Sequence, residues 1–112
     1  MLSVRPRARV ANPAPVFAAL GDRTRLSLLA KLSDGQTRSI AGLAANTKLT
    51  RQAITKHLRV LENAGLVTSA RVGRESQFAF RPDPIVEARS YLDGVSAQWD
   101  EALSRLRSFV ER

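Results

Sequence analysis

Between Thr50 and Gly65 the chain sets Ile54, Leu58 and Leu61 at the i, i+4, i+7 spacing of one helical face, and no other segment constrains the fold as tightly. Thr50 is a good N-cap and Gly65 offers the left-handed residue that ends a helix, so the pattern predicts a helix over residues 51–64. With the apolar set turned inward, Arg51, Gln52, Thr55, Lys56 and Arg59 are displayed on the other side. Such a helix is either an ordinary amphipathic helix with a solvated charged face or one built to read base edges.

The flanking segments favour the second reading. Upstream, Ser39 can cap a short helix over residues 40–46, with Ile40, Leu43 and Ala44 on one side, and a tight polar turn follows at Asn46-Thr47-Lys48. Two helices of unequal length across a tight turn predict a helix-turn-helix whose second helix enters the major groove. Downstream, residues 66–72 and 75–81 are rich in Val, Phe and Ser around Gly73-Arg74, the signature of a β-hairpin. Directly after a recognition helix, such a ribbon is a wing, and Arg71, Arg74 and Arg81 on or beside it can meet the DNA backbone or minor groove.

The chemistry suits duplex DNA. Arg51 and Lys56 can donate to guanine O6 and N7, Gln52 can pair with adenine, and Thr55 can reach a phosphate or a thymine methyl. Arg59, Arg71 and Arg74 complete the candidate contacts. Of 112 residues, 18 are Lys or Arg and 10 Asp or Glu, a net charge of +8 that favours polyanionic partners. The excess is uneven: residues 1–81 hold 14 Lys/Arg against 4 Asp/Glu, whereas residues 82–112 hold 4 against 6. The surplus therefore sits in the segments expected to face DNA.

Three further regions complete the chain. Residues 1–12, with Arg5, Arg7 and Arg9 and no acidic residue, read as a flexible basic arm. From Pro13, Val16, Phe17 and Leu20 make a short helix that Gly21 stops; Asp22 then caps a core helix with Leu26, Leu29 and Leu32, and Leu28 beside them, ending at Asp34-Gly35. Asp22 and Arg25 can pair, although a cap is the simpler role for Asp22. His57, the sole histidine, lies between the two faces of the recognition helix and reads as packed or phosphate-contacting rather than catalytic.

After Pro82, Asp83 is expected as cap and Pro84 as the first residue of a long last helix. Along it Ile85, Ala88, Leu92, Val95, Trp99, Ala102, Leu106 and Phe109 follow steps of three and four, a heptad-like seam that Tyr91, Leu103 and Val110 widen. Its burial offers on the order of 10 kcal/mol gross, comparable with association costs of about 4 to 15 kcal/mol. The stripe either packs on its own domain or pairs with a second copy. Since the first helices already fill so small a core, a homodimer through Ile85, Leu92, Val95, Trp99, Leu103 and Leu106 is expected.

The expected fold is mainly α with a small β-hairpin: a winged helix-turn-helix over residues 13–81 and a dimerisation helix over residues 82–112. No cysteine, no Ser/His/Asp arrangement, no paired carboxylates with a pocket and no glycine-rich phosphate loop are present, so neither an enzyme nor a cofactor is expected. No apolar run suggests a signal peptide or a membrane span, and a cytoplasmic location is expected. The rival reading is a winged-helix module that binds other proteins without DNA.

Three motifs carry a family likeness: Ala19-Leu20-Gly21-Asp22-Arg23-Thr24-Arg25-Leu26, Ala53-Ile54-Thr55-Lys56-His57-Leu58-Arg59-Val60-Leu61 and Ala64-Gly65-Leu66-Val67. Over residues 14–81 the chain resembles the ArsR family of bacterial transcriptional repressors. The resemblance implies a dimeric winged helix whose release from DNA is usually triggered by a bound effector; the two-fold symmetry of such a dimer in turn leads to the expectation of a pseudo-palindromic operator. Many members sense metals through cysteines in the first helix of the helix-turn-helix or through histidines and carboxylates on the last helix. Here Ser39 and Ala41 stand where the thiolates would be, and the last helix has no histidine, so no metal ligand is carried over. Residues 91–110 look similar to a metal-independent branch, whose inducer is often undefined; the effector is accordingly left unknown.

Overall fold

The computed structural model describes residues 12–111. The expected basic arm, residues 1–12, lies outside them except for Asn12, whose Oδ1 accepts from Ala14 N at 3.2 Å. Helix α1 (Ala14–Leu20) is followed by α2 (Arg23–Leu32), a short strand β1 (Arg38–Ser39), α3 (Ile40–Ala44), α4 (Arg51–Asn63), strands β2 (Val67–Val72) and β3 (Glu75–Phe80), and α5 (Asp83–Glu111). This is the expected winged helix-turn-helix with a long last helix. No helix among the described residues is long and apolar enough to cross a membrane.

Local chemistry sets most boundaries. Asp22, Ser39 and Thr50 each accept from a backbone N–H three residues on, at 3.0 Å, so α2, α3 and α4 begin on side-chain caps. Helix α4 ends in a Schellman motif: Leu66 N donates to Leu61 O and Gly65 N to Glu62 O, both at 2.9 Å, with Gly65 at φ 78°. A Cβ at Gly65 would meet Pro84 Cγ at 3.4 Å, an ordinary contact, so it is the backbone sign that asks for glycine there.

Every core layer comes from a predicted element. Leu28 and Leu32 of α2, Leu43 of α3, and Ile54, Leu58 and Leu61 of α4 are fully buried against Leu66 and the foot of the ribbon, where Val67 and Phe78 turn inward. The antiparallel sheet has the order β1-β3-β2, with Arg38 opposite Phe78 and Val67 opposite Phe80.

Four details differ from expectation. Leu26 is 50% exposed, because the buried side of α2 is centred on Leu28, Leu29 and Leu32 with Arg25 between them, and Leu26 lies beyond its edge. Helix α3 stops at Ala44, where Asn46 takes φ 63° and turns the chain, a conformation asparagine tolerates. Helix α5 starts one residue earlier than expected: Pro82 O accepts from Ile85 N and Val86 N, so Asp83 is its first residue rather than its cap. The third strand, β1, was not anticipated; two residues carry no period of their own, and only pairing with β3 defines them.

Candidate nucleic-acid interface

The turn between α3 and α4 is held by its own side chains. Thr47 Oγ1 donates to Ala44 O at 2.7 Å and accepts from Leu49 N at 3.2 Å, and Thr50 caps α4. This rigid corner presents the polar side of α4. Arg51, Gln52, Lys56 and Arg59 are exposed, while Thr55 is half-buried with its hydroxyl donated to Arg51 O at 2.8 Å, leaving its oxygen lone pair and methyl for an outside partner.

These five residues line one open groove of about 760 Å³, together with Ile40, Thr50 and Ala53. Ile40, Thr50 and Ala53 were not among the sequence candidates. Thr50 had a signal, since the residue at a helix start necessarily borders the same surface; Ile40 reaches the groove only through the packing of α3 on α4.

The wing stands beside α4. Gly73 takes φ 65° and Arg74 does not share that sign, the pattern of a type II′ turn, so Arg74 is carried at the exposed tip. Strand alternation puts Arg71 on the same face as Ser69, and Ser69 Oγ donates to Glu62 Oε2 of α4 at 2.9 Å. Arg71 thus leaves the ribbon on its helix-facing side. Arg81 behaves differently: its N–H closes the ribbon on Leu66 O at 2.8 Å and its guanidinium pairs with Asp83 at 3.5 Å, at the foot rather than the tip.

Some of the arginines are paired with a carboxylate and others are not. Arg25, Arg38, Arg81 and Arg105 each have a carboxylate within 4.0 Å. Among the described residues Arg51, Lys56, Arg59, Arg71 and Arg74 are in no ion pair, as are Arg23, Arg89 and Arg107 elsewhere, so the charge on the surface that α4 and the wing form together is uncompensated.

Along α5 the apolar seam divides. Ile85, expected at a dimer contact, packs against the chain's own core, and Ala88 is buried. Phe17 of α1 meets Tyr91 with ring centroids 6.0 Å apart. Beyond that point Leu92, Trp99, Leu103 and Leu106 are 51–61% exposed, Phe109 and Val110 about 70%, and Val95 is half-buried.

A rigid turn, a polar helix face and an arginine-tipped ribbon on a three-helix core define a winged helix-turn-helix of the DNA-binding kind. The sequence profile of the bacterial regulatory proteins of the arsR family matches residues 22–69. The HTH-type transcriptional regulator YuzN of Bacillus subtilis is 41% identical over 80 residues, 66% of this chain and 87% of its own. An ArsR-like transcriptional regulator from Rhodococcus sp. RHA1 superposes with a TM-score of 0.76 at 36% identity, covering 91% of this chain and 95% of its own. The chain belongs to the ArsR family, as a transcriptional regulator and not an enzyme.

The homodimeric winged helix-turn-helix DNA-binding domain Mb0332 from Mycobacterium bovis shares the fold at 24% identity, with a TM-score of 0.62 over 90% of this chain and 93% of its own.

Proposed function

We propose that this regulator is a repressor that acts in the cytoplasm as a homodimer, binding a pseudo-palindromic operator and occluding a promoter. One observation carries the reading: Arg51, Gln52, Thr55, Lys56 and Arg59 line a single open groove on α4, with the wing tied alongside by Ser69 and Glu62. In this reading Arg51, Gln52, Thr55 and Lys56 read bases, while Arg59, Arg71 and Arg74 hold phosphates.

The uncovered stripe of α5 supports pairing through Leu92, Val95, Trp99, Leu103 and Leu106, and the homodimeric name of the Mycobacterium bovis domain of the same fold agrees. Two recognition helices on a two-fold axis then address half-sites spaced by about 10 bp or a multiple. Residues 13–81 form the DNA-binding unit in this scheme and residues 82–112 the pairing helix. No bound metal is part of it: Ser39, at a position where the family resemblance puts a thiolate, is used as a helix cap, accepting from Gly42 N at 3.0 Å.

The test is a salt titration of binding to labelled duplex DNA. The expected result is a linear fall of log affinity with log salt, about −0.9 per phosphate neutralised, and no change on adding divalent metal. A flat salt response would overturn DNA binding in favour of a protein-interaction module.

A further inference from the structure

The groove lies on the outer side of α4; a separate cluster holds its inner edge. Arg25 of α2 spreads its guanidinium over three acceptors: Nε donates to Ala19 O at 2.7 Å, Nη2 to Ala18 O at 3.3 Å, and Nη1 stands 3.3 Å from His57 Nδ1 on α4. The first two bonds cap the last carbonyls of α1, the helix that packs on α5 through Phe17 and Tyr91. One side chain, 16% exposed, thus joins the recognition helix to the helix that touches α5.

A guanidinium has donors and no acceptor, so this contact exists only if His57 Nδ1 is a free lone pair, with the ring neutral and its proton on Nε2. Protonation removes that lone pair and sets a second cation against Arg25. The nearest replacement partner is Asp22 Oδ1, 3.9 Å from Nδ1, and reaching hydrogen-bond distance requires a shift of about 1 Å. The charged groups that face the ring are Asp22, from the α1–α2 turn, and Arg25; α1 brings only backbone carbonyls.

We propose that Arg25 and His57 are positioning residues for operator binding: their hydrogen bond sets recognition helix α4 against α1, and through it against α5, and this setting is lost when His57 takes up a proton. The proposal rests on the DNA-binding reading above. Two recognition helices must match two half-sites at once, so a small rotation of α4 against α5 is felt on the operator and far less on random DNA. His57 is the only histidine of the sequence, so a response to acid that the wild type shows and His57→Asn lacks reports on this contact.

The experiment uses a duplex selected by the wild-type chain from a random pool and a random-sequence duplex as control. His57→Asn puts a carbonyl oxygen where Nδ1 stands and does not titrate; His57→Leu removes the acceptor. At about pH 8, Asn should bind the selected duplex within about twofold of wild type and Leu about tenfold more weakly, with random-duplex affinity unchanged. From about pH 8 to about pH 5.5 the wild type should lose about tenfold on the selected duplex while His57→Asn stays level. Equal binding by the two variants, or the same pH profile for wild type and His57→Asn, overturns the proposal. Should His57→Leu fail to fold, the pH comparison of wild type with His57→Asn decides alone. A wild type that selects no duplex overturns the DNA reading and this one with it, a result distinct from selection without the pH or acceptor effect.

Discussion

Ser69 Oγ on strand β2 donates to Glu62 Oε2 in the last turn of α4 at 2.9 Å, so the wing and the recognition helix are joined near the point where the chain turns from one into the other. Both side chains are exposed, so the bond is worth less to stability than to geometry. Ser69→Ala should lower unfolding free energy by less than about 1 kcal/mol in a urea titration while weakening binding to a selected duplex several-fold. A loss of DNA affinity no larger than that on random duplex would assign the bond a purely local role.

The helix and wing contacts should respond differently to truncation. Arg51→Ala and Gln52→Ala each remove a proposed base contact and should relax preference for the selected duplex by roughly 1 to 3 kcal/mol. Arg74→Ala should weaken selected and random duplexes alike and reduce the salt slope by about 1. Competition binding at several salt concentrations separates the two; equal losses on both duplexes for all three variants would overturn the assignment.

Trp99 and Leu103 stand at 61% and 56% exposure in the middle of the α5 stripe. A carboxylate placed there cannot be buried without a partner. In the proposed dimer, Leu103→Glu should therefore leave only monomer in multi-angle light scattering at micromolar concentration, where the wild type runs at twice the chain mass. Affinity for a two-half-site duplex should fall on the order of 100-fold, since the second half-site is no longer bound within the same complex. A variant that keeps the dimer mass would show that the pairing surface lies elsewhere.

Asp22 carries the pH dependence at the acid end. The backbone N–H of Arg25 holds its carboxyl below the ordinary value of 3.8, against the opposing effect of desolvation, with the charges of Arg25 and His57 helping. A carboxylate with a depressed folded pKa contributes stability that is fully present above its unfolded value and is lost as pH falls through the folded one. Asp22→Asn keeps the cap and removes the charge. Its stability deficit should be constant near neutrality and close below about pH 4, as thermal melts across that range would show.

Some of this protein was legible before any coordinates. The i, i+4, i+7 row of Ile54, Leu58 and Leu61, the cap at Thr50, the left-handed Gly65 and the Gly73 turn are local signals, each decided within a few residues by helix period or backbone sterics. They sufficed for the winged helix-turn-helix and for the five groove residues of α4, because the polar side of a helix follows once its apolar side is known.

Tertiary packing decided the rest. Strand β1 exists only opposite Phe78 and Gln77. Ile85 turned to the chain's own core while Leu92, Trp99, Leu103, Leu106 and Phe109 stayed exposed, because α1 covers only the start of α5 and a heptad pattern does not state where a neighbour ends. The contact of Arg25 with His57 spans 32 positions of sequence, and its partners on Ala18 and Ala19 are backbone carbonyls, which no residue pattern encodes. Periodicity and caps act over one or two turns of chain, whereas which faces meet is settled by the shape of the assembled core.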